Sequence, residues 1–160
     1  MSDVASIIKN LVASNKTVAT AESCTGGLIA SSIVDVPGAS DCFNEGYVTY
    51  SNEAKMKNLG VKDSTLSQFG AVSRETASEM CLGVKKKAKS DFGLSSTGIA
   101  GPGGGSPKKP VGLVYIGCAY GDGLVTVKEL RLSGNRSEIR NAAASAALQL
   151  LDEILQKGNK

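Results

Sequence analysis

The chain has 160 residues, about the size of one domain, which is long enough to bury a core without disulfide or metal staples. Its 18 basic and 15 acidic side chains leave a net charge of +3, too mild to argue for nucleic acid, and with aromatics at 4% and no Trp there is little from which to build a base-stacking platform. The absence of His excludes Ser-His and Cys-His nucleophile pairs, His-liganded zinc and any imidazole general base, so hydrolytic chemistry must use Lys, Tyr or a carboxylate as its base.

In chain order, Val4, Ile7, Ile8, Leu11 and Val12 recur at helical spacing and predict an amphipathic helix that ends near Ser14 and Asn15. Thr17 to Glu22 reads as a short buried strand, broken by Gly26 and Gly27, and Leu28 to Val34 resumes a helical pattern up to Pro37 and Gly38. Phe43 to Tyr50 carries aromatic and β-branched residues and predicts a second strand, after which Ser51 and Asn52 cap a short helix stopped by Gly60. Lys62 to Gly70 reads as a polar connection. Ser73 with Glu75 opens a helix whose apolar stripe is Ala77, Met80, Cys81 and Val84, and whose lysine-rich end suits the helix dipole.

Phe92 to Thr97 predicts a third strand, running into a glycine and proline loop too dense for regular structure. Val111 to Ala119 and Leu124 to Leu132 predict a hairpin across Tyr120 to Gly123. Asn135 with Glu138 three residues on is a capping-box pattern for a closing alanine-rich helix to about Leu155, with Lys157 to Lys160 as a fraying end. Alternating helices and strands followed by a hairpin predict a single-domain, three-layer α/β/α sandwich with a mixed sheet. Cys24, Cys42, Cys81 and Cys118 form no CxxC pair and read as reduced, mostly buried thiols. No secretory leader pattern or ~20-residue apolar span is present, so a cytoplasmic protein without membrane contact is expected.

Three polar clusters stand at strand ends or in loops. Glu22 to Gly27 holds Ser23, Cys24, Thr25, Gly26 and Gly27; small hydroxyls before two glycines can aim N–H groups at an anion, or form an ordinary capped turn. Gly38, Ala39 and Ser40 precede Tyr50 to Lys55, and a lysine made neutral by burial can activate a serine, although Ser40 can equally be a turn residue and Lys55 a solvated one. Ser95 to Gly105 ends a strand in hydroxyls and continues as a glycine-rich loop, which can offer oxyanion donors or be only a connection.

Taken together and in order, AESCTGG (21–27), GYVTYSN (46–52) with Lys55, GAVS (70–73), and STGIAGP (96–102) with PVG (110–112) closely resemble the CinA C-terminal domain family. Its enzymatic members are nicotinamide-nucleotide amidases. The likeness runs from about Thr17 through the closing helix and treats residues 1–160 as one amidohydrolase domain.

The resemblance implies hydrolysis of the carboxamide of nicotinamide mononucleotide to nicotinate mononucleotide and ammonia, by a serine/lysine mechanism without metal or other cofactor. It assigns the nucleophile to Ser40 and the base to Lys55, with Tyr50 orienting or relaying protons. It places Thr97 and Gly98 beside the substrate and gives Arg136, or the turn of Ser23, Thr25, Gly26 and Gly27, the phosphate. The implied partner is a small-molecule substrate, with no nucleic acid and no membrane, in a homo-oligomer. Two alternatives stay open: a nucleotide-binding or assembly domain of the same fold without turnover, and an enzyme whose nucleophile is Ser23 or Cys24.

Overall fold

The computed structural model describes residues 2–158. Helix α1 (Val4–Ala13) opens on Asp3, whose carboxylate accepts the Ser6 N–H at 2.7 Å, and buries Ile7, Ile8 and Leu11. Strand β1 (Val18–Glu22), buried at all five positions, follows and becomes the middle of the parallel part of the sheet. It pairs in parallel with β2 (Phe43–Val48) on one side and with β3 (Phe92–Gly98) on the other. Strands β4 (Leu113–Tyr120) and β5 (Leu124–Arg131) add antiparallel, giving the order β2-β1-β3-β4-β5. The expected mixed sheet and three layers are both present.

Alternation along the strands divides the core between two faces. On one face Val18, Leu94, Val114, Ile116 and Cys118 pack under α1, α2 (Leu28–Val34) and α6 (Arg136–Gly158). On the other, Ala19 and Ala21 pack with Leu59, Leu66, Met80 and Val84 of α3 (Asn52–Leu59), α4 (Asp63–Phe69) and α5 (Arg74–Ala88). Each fully buried Leu or Ile in these layers contributes ~1.5–3 kcal/mol of transfer free energy. Small side chains let the second layer sit close: a Cβ on Gly83 of α5 would collide with the Leu59 carbonyl oxygen.

The caps form as the sequence suggests. Ser73 Oγ accepts the Thr76 N–H at 3.1 Å. At α6, Asn135 Oδ1 accepts the Glu138 N–H at 2.9 Å while Glu138 Oε2 accepts the Asn135 N–H at 2.7 Å. The boundaries differ modestly: β2 ends at Val48, short of Tyr50, and α6 continues past Leu155 to Gly158. Of the expected fraying end, Lys157 and Gly158 are helical and residues 159 and 160 lie outside the described residues.

One element corrects the sequence reading. The polar connection from Lys62 to Gly70 contains α4, a seven-residue helix with no side-chain cap of its own. Its cap comes from α5, where Glu79 accepts the Lys62 N–H at 2.8 Å and the Thr65 hydroxyl at 2.6 Å. A cap supplied from 17 residues downstream leaves no local signature at the helix it stabilises. Glu79→Ala should therefore lower stability by ~1–2 kcal/mol, read as a shift in urea midpoint without change of slope. An unchanged midpoint would show that α4 does not depend on this cap.

Candidate active site

The carboxyl ends of β1, β2 and β3 meet at one edge of the sheet because all three run parallel. Ser23 continues β1 by one residue, its N–H donating to the Ser96 carbonyl at 2.9 Å, and Thr49 continues β2 by donating to the Glu22 carbonyl at 2.9 Å. Ser51 then caps α3 through the Ala54 N–H at 3.0 Å, so the first turn of that helix folds back over the strand ends. This returns Lys55 to the sheet edge, where its Nζ donates to the Thr49 carbonyl at 2.9 Å and to Ser23 Oγ at 3.2 Å.

Lys55 is 1% exposed. Burial disfavours its charged form and pulls its pKa below 10.5, opposed only in part by the nearby Cys24 thiol. It faces a pocket of about 270 Å³ that also holds Ser23, Tyr50, Thr97, Arg136 and the backbone from Gly98 to Gly104. Tyr50, 64% exposed, stands at the mouth. Arg136, on the first turn of α6, crosses to it: its guanidinium donates to the Gly101 carbonyl at 2.8 Å and to the Tyr50 hydroxyl at 3.1 Å. The Thr97 hydroxyl donates to the Ala71 carbonyl at 2.7 Å, tying the start of α5 to β3.

Ser40 is not part of this arrangement, which corrects the expected Ser40–Lys55 pair. It is exposed on a 3-10 turn (Ala39–Asp41) that leads into β2, whereas Lys55 follows β2. The strand between them, six residues at ~3.3 Å each, holds the two at opposite edges of the sheet. The serine that Lys55 reaches is Ser23.

The expected anion cradle is corrected as well. Three of the N–H groups that open α2 already have an internal acceptor: Glu22 Oε1 takes those of Gly27 at 3.2 Å and Ile29 at 2.9 Å, and Oε2 takes that of Ala30 at 3.0 Å. Thr25 is fully buried, its hydroxyl 2.6 Å from both Glu22 Oε1 and Ser96 Oγ. Gly26 and Gly27 do not line the pocket. Of the residues assigned to the substrate, the pocket collects Ser23, Thr97, Gly98 and Arg136.

Cys24 also borders the pocket, but its thiol is 5% exposed and burial pushes its pKa up to about 11. It stays protonated near neutral pH and is no activated nucleophile. Sequence reasoning passed over Glu22 and Arg140; the latter donates to the Cys24 carbonyl at 3.0 Å and the Thr25 carbonyl at 2.9 Å. A carboxylate ending a short strand whose other residues are Val18, Ala19, Thr20 and Ala21 was the available signal for Glu22. A larger hollow of about 380 Å³ lies at the far edge of the sheet, lined by Phe92, Tyr120, Leu150 and Ile154, and contains none of these groups.

Burial of Lys55 makes a stability prediction with a definite sign. Its folded pKa is below its unfolded one, so the folded state carries the full desolvation penalty below the folded value. That penalty fades as pH rises toward 10.5, where the unfolded lysine also loses its proton. Lys55→Met should be at least as stable as the parent at pH 7, by ~1 kcal/mol, and the gap should narrow by pH 10 in denaturant melts. A variant less stable at pH 7 would show that the lysine's hydrogen bonds outweigh its desolvation.

The family model of the CinA C-terminal domain matches residues 2–155. The chain is 60% identical over 139 residues to a CinA-like protein of Kosmotoga olearia, covering 87% of this chain and 34% of that protein, so it spans about a third of the length of such relatives. Among solved structures, it is similar to the competence/damage inducible protein CihA from Agrobacterium tumefaciens at 42% identity, covering 98% of this chain and 97% of that one, with a TM-score of 0.89. A CinA superfamily protein from Klebsiella pneumoniae superposes with a TM-score of 0.91 at 29% identity, over 98% of this chain and 99% of that one. With the match extending over nearly every strand and helix that builds the pocket, the chain belongs to the CinA C-terminal domain family.

Proposed function

We propose that this chain is a nicotinamide mononucleotide deamidase that uses Ser23 as nucleophile and Lys55 as base. The observation that carries the reading is the 3.2 Å hydrogen bond between Lys55 Nζ and Ser23 Oγ at the wall of a pocket, with burial drawing the lysine's pKa below its ordinary value. Membership of a family that includes amidases supports the reaction class. An unperturbed lysine, with a pKa of roughly 10.4, would be neutral in only about one molecule in 2,500 at pH 7, a penalty of ~4.6 kcal/mol that burial reduces. The cationic pyridinium of the substrate would favour the neutral amine further.

In the proposed reaction Lys55 takes the Ser23 proton as the oxygen attacks the carboxamide carbon. Backbone N–H groups of Ala100, Gly101, Gly103 and Gly104 in the glycine-rich wall are suited to receive the oxyanion. Lys55 returns the proton to the departing nitrogen, ammonia leaves, and a nicotinyl ester remains on Ser23. Water then attacks that ester with Lys55 again accepting the proton, which releases the acid and restores the serine. Tyr50 at the mouth is placed to orient the ring, and Arg136 to hold the phosphate by charge-assisted hydrogen bonds.

The test is ammonia and acid release from nicotinamide mononucleotide with EDTA present and no metal added. Ser23→Ala and Lys55→Ala should each lose at least about 10³-fold in kcat, while Ser40→Ala and Cys24→Ala keep most of it. Activity in Ser23→Ala with none in Ser40→Ala would overturn the nucleophile. Substrate binding without turnover at any pH would favour a nucleotide-binding domain instead.

The pH dependence carries its own check. The rate should rise with pH on an ionisation below 10.5, since the lysine must lose its proton to act. Lys55→Arg should be inactive across that range because guanidinium does not deprotonate. Arg136→Ala should raise KM more than it lowers kcat, as expected for a contact made equally in ground and transition states. Normal turnover by Lys55→Arg would remove lysine from the mechanism.

A further inference from the structure

We infer that Glu22 and Arg140 are positioning residues that clamp the turn from Ser23 to Gly27 on both its polar sides and so hold the Ser23 hydroxyl against Lys55. The inference rests on the reading of Ser23 as the nucleophile. Helix α2 has seven residues, too few to hold itself, and its opening N–H groups must find acceptors. The Glu22 carboxylate, 1% exposed, supplies them: it accepts from Gly27, Ile29 and Ala30 and from the Thr25 hydroxyl. A buried carboxylate is tolerated because those donors surround it.

The carbonyls of the same turn point the other way and meet Arg140, whose Nε and Nη2 donate to Cys24 and Thr25. Glu22 therefore takes the Gly27 N–H and the Thr25 hydroxyl of the turn, and Arg140 its Cys24 and Thr25 carbonyls. Strand alternation transmits the effect to the hydroxyl. Glu22 lies on the face of β1 that packs under α2, so Ser23, the next residue, is directed to the opposite face, where α3 carries Lys55. Arg140 also stands one helical turn after Arg136, so the start of α6 fixes the serine turn and the Gly101 wall together.

Neither clamp residue hydrogen-bonds Lys55, whose Nζ partners are the Ser23 hydroxyl and the Thr49 carbonyl. Their loss should therefore reduce turnover without moving the ionisation that controls it. This separates positioning from base chemistry. It also separates local loosening from general loss of stability, because Cys24 sits on the clamped turn while Cys81 and Cys118 are buried in the layers beneath.

The experiment compares Glu22→Gln, Arg140→Met and Arg140→Lys with the parent chain. Readouts are kcat, KM and the pH profile on nicotinamide mononucleotide, and the rate of iodoacetamide labelling at each cysteine, located by mass spectrometry. Glu22→Gln and Arg140→Met should lose at least tenfold in kcat with KM within twofold and the apparent pKa unmoved. Labelling of Cys24 per thiolate, taken from its pH profile because Glu22 and Arg140 both act on that thiol, should accelerate at least fivefold while Cys81 and Cys118 stay protected. Arg140→Lys, which keeps one donor, should recover part of both effects. Should Glu22→Gln fail to fold, the two Arg140 variants decide. A kcat within twofold of the parent, or equal acceleration at all the cysteines, would overturn the clamp. A parent chain with no turnover would sink the deamidase reading and leave the clamp to be decided by Cys24 labelling alone.

Discussion

Lys55 lies buried with a carbonyl and a hydroxyl as its partners, and the geometry of the site follows from keeping it there. A lysine in that position is stable only where its nitrogen is hydrogen-bonded and its stem is packed. Both conditions come from one topological fact, that β1 has parallel neighbours on both sides. Parallel pairing brings the exits of three strands to the same edge, so Ser23 after β1, Thr49 after β2 and Gly98 at the end of β3 become neighbours despite their distance in the chain. The α3 cap at Ser51 then needs only one helical turn to bring Lys55 in among them.

The surrounding polar groups repeat the same economy of arrangement. Where β1 gives way to α2, backbone groups are met by side chains, by β3 and within the turn itself, and Glu22, Ser96 and Arg140, which supply much of this, come from three different elements. Removing one member of such a network leaves its buried partners unpaired. Elsewhere at this edge the chain uses glycine, and a wall of backbone from Gly98 to Gly104 faces the pocket. The site thus pairs a hydrogen-bonded serine turn with a wall rich in glycine.

Much of the fold was legible in the sequence because its signals are local. The stripe of α5, the stop at Gly60 and the capping box at Asn135 each lie within a few residues of the element they define. Helix α4 was not, since its cap belongs to α5. The pocket was partly legible: the sequence brought forward Lys55, Tyr50, Thr97 and Arg136, but attached the lysine to Ser40. Strand direction contained the means of avoiding this. Ser40 enters β2 and Lys55 leaves it, so the length of that strand must separate them, while a helical crossover from β1 to β2 requires the two strands to run parallel and places Ser23 at the exit Lys55 shares. Glu22 was overlooked because its partners, the N–H groups of Gly27, Ile29 and Ala30, are brought to it only by the path of the turn that follows.

Arg136 spans the mouth with the Gly101 carbonyl at one nitrogen and the Tyr50 hydroxyl at the other, and this bears on how a product departs. A bound phosphate would have to exchange with partners the guanidinium already possesses, so its net gain is the difference between two sets of hydrogen bonds and not the whole of one. In the proposed reaction the same exchange would run in reverse as the acid product leaves, with the arginine closing back onto Tyr50 and Gly101. A latch with its own resting position holds a nucleotide less tightly than an empty one would, and it lets go sooner. In the deamidation proposed above, which adds a negative charge to the ligand, that ready release would keep the more anionic product from lingering beside the arginine.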